Sequence, residues 1–228
     1  SPVIAPAPSG PDADVAHRRR AVAVAGHRHD AEVARLYRDD PDASVRATAL
    51  GALQRANQLT TDDLTNGLAD PEPEVRSRAA ELVAELRGAG PATGVALVPL
   101  LRDADPMVVE AAAWALGERV PPEAGSVEAL ATLAIEADDS LIRESAVAAL
   151  GSLGDPAGLN AILNATEDKA TVRRRAVIAL APFEGPEVDA ALERALTDRD
   201  WQVRQAAEDL GTDDPAYHDV PADDVPHR

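Results

Sequence analysis

Cysteine is absent, Lys169 is the only lysine among 22 basic residues, and the aromatic residues amount to two Trp, two Tyr and one Phe in 228 positions. Without thiols there can be no disulfide and no thiolate metal site. Without large aromatic plates, cohesion has to come from many thin aliphatic contacts, each buried methylene contributing about 0.8 kcal/mol. Basic groups are outnumbered by 40 acidic ones, giving a net charge of -18 and a pI near 4.5. Such a balance argues against nucleic acid or an anionic membrane as partner, because neutralising phosphate supplies most of the affinity in those complexes. The acidity fits either a coding bias toward Ala, Arg, Asp, Gly and Pro or adaptation to a salty cytoplasm. No apolar run of eighteen residues and no secretory signal with an apolar core occurs, so the expectation is a soluble, cytoplasmic protein that neither spans nor binds a membrane.

Catalytic signatures are missing as well. The chain has no GxSxG elbow, no GxxxxGK[ST] phosphate loop and no HExxH pair. The stretch from Gly88 to Gly94 is glycine-rich, but Pro91 makes it a loop. The five histidines, His17, His27, His29, His218 and His227, lie toward the two ends. His27 and His29 beside Asp30 have metal-ligand chemistry, yet their place between helical segments points to solvated side chains. No enzyme activity, cofactor or metal is expected.

What is present is repetition. A short phrase, most often an apolar residue followed by a basic one, begins at His17, Val45, Val75, Val108, Ile142, Val172 and Val203, with steps of 28, 30, 33, 34, 30 and 31 residues. Steps that uniform mean one structural unit with variable loops. Each phrase continues with apolar residues at helical spacing, as in Val45, Ala49 and Leu53, Val75, Ala79 and Val83, Ile142, Ala146 and Leu150, or Val172, Ala176 and Leu180. Upstream of each lies a second amphipathic run, such as those starting at Ala31, Val95 and Val188, and Asp155-Pro156 and Gly185-Pro186 mark helix starts. The unit is a pair of helices. Two helices of about ten residues are marginal alone in water, so neighbouring units must stack to bury what each leaves bare.

The segment from Leu68 to Val83, and matching phrases at 40–53, 103–116, 138–150, 167–180 and 198–210, resemble the HEAT-like repeat in the short bacterial and archaeal form also found in phycobilin lyases. The resemblance implies an all-α fold: a right-handed α-solenoid of about six helix pairs plus a leading helix over residues 12–211, between a Pro-rich lead at 1–11 and an acidic tail at 212–228. It also implies a ladder in which a turn acid and the arginine six positions later link adjacent repeats. That spacing occurs at Asp12/Arg18, Asp40/Arg46, Asp70/Arg76, Asp198/Arg204 and, with Glu, at Glu167/Arg173. A helix-terminal carboxylate meets free N–H groups there while arginine bridges to the next unit. Two repeats depart from it: Asp103 is followed by Val109, and Arg143 is preceded by Ala137. The centre of the array is thus the place to seek specialisation.

In that family the second helix of each pair lines the concave side, which would turn the residues two, three and six positions beyond each anchor into the trough. At six beyond stand Ala23, Gly51, Glu81, Trp114, Ala148, Ile178 and Asp209, and Trp114 is the outlier. Glu110 and Glu118 share its face, and Glu81, Arg78 and Glu144 belong to neighbouring repeats. An indole inside an acidic ring suits a protein or peptide partner that presents basic groups. The expected function is a non-enzymatic interaction scaffold that uses Trp114, Glu110, Glu118, Glu144, Glu81 and Arg78. The alternatives are a lyase- or chaperone-like helper holding a tetrapyrrole or similar ligand, implied by the lyase resemblance, and a regulatory segment of a longer protein, suggested by the unpaired first helix and the Pro-rich lead.

Overall fold

The computed structural model describes residues 11–212. The expected lead and tail lie outside the described residues except for Pro11 and Thr212, which begin the first helix and end the last. Every regular element among the described residues is helical, and the chain divides between Glu123 and Ala124 into two compact units.

In the first unit α1 (Pro11–His27) leads, followed by the pair α2 (Ala31–Leu36) and α3 (Ala43–Arg55) and the pair α4 (Thr61–Leu68) and α5 (Pro73–Glu85). Two 3-10 turns, Gly90–Ala92 and Val98–Arg102, then precede α6 (Pro106–Glu118). The second unit holds α7 (Ser126–Glu136) with α8 (Ser140–Leu153), α9 (Leu159–Ala165) with α10 (Ala170–Ala179), and α11 (Pro186–Ala195) with α12 (Trp201–Thr212). Within each unit the second helices stack in chain order: α1 on α3, α3 on α5 and α5 on α6, then α8 on α10 and α10 on α12.

Local chemistry starts these helices. The Asp42 carboxylate accepts from the N–H groups of Ser44 and Val45, Asp105 from Met107 and Asp139 from Leu141, so each satisfies donors left open in the first turn. Thr60 and Asp63 form a reciprocal capping box at α4. Pro73, Pro106 and Pro186 open α5, α6 and α11, where a missing N–H costs nothing. The apolar stripes read from the sequence are buried as expected, apart from Ile142, which is only partly covered.

One expected helix is absent. The run from Val95 forms a 3-10 turn instead, because Pro99 has no N–H and its ring would crowd the carbonyl of Val95. That carbonyl accepts from the buried Arg119 guanidinium, which also pairs with Glu123 at 3.0 Å. The Glu123 carboxylate in turn accepts from the N–H groups of Leu97 and Val98 at 2.9–3.2 Å. An ion pair beyond α6 therefore closes backbone groups that an α-helix would have closed itself.

Arginine rungs cross between repeats within each unit. Arg18 donates to Asp40, Arg46 to Asp70, Arg76 to Asp103, Arg143 to Asp168 and Arg173 to Asp198, each through both Nε and Nη2. The acid six positions before each arginine in the spacing rule does not face it side chain to side chain. Its carbonyl accepts from Nη1 instead, as Asp40 does from Arg46 at 2.9 Å and Asp70 from Arg76 at 2.8 Å. The Asp12 side chain is not among those described. In the sixth repeat the expected acid is corrected: Asp168 takes the rung and Glu167 is exposed, because the turn there is one residue shorter and Arg173 reaches back to the Asp168 carbonyl. Both departures noted in the sequence are also half-rungs, since Asp103 receives Arg76 and Arg143 reaches Asp168. Val109 has no guanidinium and Ala137 no carboxylate, so the rungs fall into two sets, one per unit.

Guanidinium contacts pull Asp70, Asp103, Asp168 and Asp198 below the ordinary carboxylate range. The hydrogen bond from arginine is the main cause at Asp103, Asp168 and Asp198. At Asp70 burial pushes upward, and the bonds from Arg46 and the Glu72 N–H outweigh it. Because folded values lie below unfolded ones, this stabilisation is complete above about pH 4 and is lost as pH falls through the folded values.

Two measurements check these points. Helix approach at Gly151 leaves no room for a side chain, since a Cβ there would lie 2.8 Å from the Ala179 Cα. Gly151→Val should destabilise the second unit by roughly 1–3 kcal/mol in urea denaturation, and an unchanged midpoint would contradict this packing. Asp70→Asn should cost about 1 kcal/mol at pH 7, at the low end because water screens the helix mouth. It should also flatten the loss of stability below about pH 4 relative to the parent chain. An equally steep acid limb in the variant would remove Asp70 from the account.

Candidate functional site

The second helices of the first unit leave a groove of about 700 Å³. Its floor and walls are Ala47, Thr48 and Gly51 of α3 and Ser77, Arg78 and Glu81 of α5. These are the residues two, three and six positions beyond the anchors Val45 and Val75, the register expected to face the trough. The recess exists because Ala47, Gly51 and Ser77 are small, so the helices close beneath it without filling it. Met107, at the first turn of α6, and Pro73, at the first turn of α5, supply apolar edges.

Two guanidiniums converge over the floor. A Cβ added to Gly51 would lie 3.3 Å from Arg78 Nη2 and 3.6 Å from Arg55 Nη1. Their surroundings differ. Arg78 donates to Glu81 at 2.9 Å and to Glu85 at 3.0 Å. Burial alone would lower its pKa, but those carboxylates raise it, so the charge is held. Arg55 makes no ion pair among the described residues, and its Nε is buried without a hydrogen-bond partner. The nearby Asp105 carboxylate is engaged in capping α6 through the Met107 N–H at 2.9 Å.

The structure brings some of the expected site residues together. Arg78 and Glu81 line the groove and pair with each other. Trp114, Glu110 and Glu118 stand on α6 outside the groove lining. Met107, Glu110, Trp114 and Glu118 share one face of that helix by spacing. On it Trp114 is 46% and Met107 67% exposed, and neither glutamate makes an ion pair among the described residues. Glu144 belongs to α8 of the second unit, where Arg175 approaches it at 3.4 Å. The His29 Nδ1 is 2.8 Å from the Arg55 carbonyl, to which it can only donate. Among the described residues no three His, Cys, Asp or Glu gather as metal ligands, and no helix is long and apolar enough to cross a membrane.

Reading the sequence for an outlier by size selected Trp114 and passed over Gly51 and Arg55. A signal was available. Ten residues beyond the anchors stand His27, Arg55, Glu85, Glu118, Ser152 and Pro182 through the sixth repeat, and Arg55 is the one arginine in that column.

Helix pairs stacked in chain order on a repeated apolar register define an α-solenoid protein. The family model for HEAT repeats matches residues 61–151, 95–181 and 127–210, and the chain belongs to that family. Solved structures with the same architecture include an engineered protein, 23% identical with a TM-score of 0.59, spanning 79% of this chain and 94% of its own. A designed armadillo repeat protein in complex with the peptide (KR)4 is 18% identical with a TM-score of 0.58, over 83% of this chain and 97% of its own. Computationally designed armadillo repeat proteins for modular peptide recognition are also similar, at 18% identity and a TM-score of 0.53, over 88% and 93%. At these identities the likeness concerns the fold. No curated protein matches the sequence.

Proposed function

We propose that the chain is a non-catalytic cytoplasmic scaffold that binds an extended peptide segment of a protein partner across the second helices of its first unit. The observation that carries this reading is the open groove on α3 and α5, continued by the exposed apolar and acidic face of α6. Trp114 is the anchor, because a half-exposed indole offers a large rigid contact area at small entropic cost. Glu110 and Glu118, with no ion pair among the described residues, favour basic groups on the segment. Glu144, with Arg175, is an equivalent polar position on the second unit. A net charge of -18 supports protein over nucleic acid. The groove lining includes no aromatic or histidine side chain to grip a tetrapyrrole. Binding of (KR)4 by one structural neighbour supports peptide as the kind of ligand.

The test is fluorescence anisotropy of labelled, C-terminally amidated (KR)4 with the full chain. Binding should weaken with salt, and Trp114→Ala should weaken it by roughly tenfold or more while leaving the helical circular dichroism unchanged. Equal affinity in the variant would take the α6 face out of the site.

A further inference from the structure

We infer that the groove reads an acidic side chain: an Asp or Glu of the bound segment sits above Gly51, between Arg55 Nη1 and Arg78 Nη2. This deepens the peptide-scaffold reading and rests on it. Three observations lead there. The two guanidinium edges flank one point, 3.3 and 3.6 Å from the position a Gly51 Cβ would take. One of them, Arg55, has no carboxylate among the described residues, and its Nε is buried with nothing to accept from it. Of the acids lining the groove, Glu81 is engaged by Arg78 and Asp105 by the Met107 N–H, and Glu74 is exposed on the wall.

The chain itself shows what such an arginine does when an acid is within reach. Arg46, Arg76, Arg143 and Arg173 each grip an aspartate with two N–H groups at 2.6–2.9 Å. Arg55 has the same chemistry and opens onto a groove in place of a neighbouring repeat's aspartate. A guanidinium in a partly desolvated recess gains more from a carboxylate than an exposed one does. Glycine at 51 matters because a methyl there would occupy the space the carboxylate oxygen needs. Met107 and Pro73 at the edges suit an apolar neighbour of the acidic residue, while Glu74, exposed on the wall, discourages a second acid beside it.

The specificity is measured on a cellulose array of dodecapeptides anchored through their carboxyl ends, probed with the full chain and with Arg55→Gln, Arg55→Lys, Gly51→Ala and Trp114→Ala. The parent chain should retain peptides that share an Asp or Glu at one position, and Asn or Gln there should weaken retention about tenfold. Arg55→Gln and Gly51→Ala should abolish that preference, Arg55→Lys should keep part of it, and Trp114→Ala should weaken all peptides yet leave the preference in place. Peptides retained without an acidic position, or selected identically by Arg55→Gln, would overturn the assignment and leave the scaffold reading standing. A preference found only on an array with free carboxyl termini would reassign the pocket to a chain end and overturn the side-chain claim. No retained peptide at all would overturn both.

Discussion

The spacing of one second helix on the next is the constraint from which the other features follow. Burial drives the stacking, since a lone pair of short helices cannot cover its own apolar stripe. Burial is non-directional, however, and would tolerate sliding along stripes made of alanine, valine and leucine. The arginine rungs remove that freedom: a fork that holds both oxygens of the next repeat's aspartate, and a backbone carbonyl in its own turn, admits one register. Their value lies in alignment more than in net stability, because the desolvation of each charge offsets much of the attraction.

Register in turn decides which side chains meet at the surface. With α3 and α5 locked through Arg46 and Asp70, Gly51 comes beneath the Arg78 guanidinium, and a recess opens where two small residues coincide. The acids that cap α4 and α6 and accept the rungs are already engaged, which leaves the Arg55 guanidinium in the groove without a carboxylate among the described residues. The carboxylates of exposed Glu110 and half-buried Glu118 lie on α6, beyond that groove. One face thus offers two electrostatic environments, and a ligand that satisfies both carries charges of both signs.

The irregular fourth repeat follows the same accounting of backbone groups. Proline inside its first helix removes a donor and blocks a carbonyl, and the chain answers with Arg119 and Glu123 in place of α-helical bonds. That repeat also lacks the arginine at position 109, so both irregularities fall where the two rung sets part.

Periodicity alone determined the repeat, the helix pairs and the buried stripes, because each depends on residues near one another in the chain. The resemblance to HEAT-like repeats implied the positions that face the groove and named Asp40, Asp70 and Asp198 as rung acids. Only the tertiary structure decided which arginine each acid receives, that Asp168 displaces Glu167, and that Arg55 lies over Gly51 beside Arg78. Those outcomes depend on distances between side chains more than twenty residues apart, and a one-residue change in a turn alters them without changing the hydrophobic pattern.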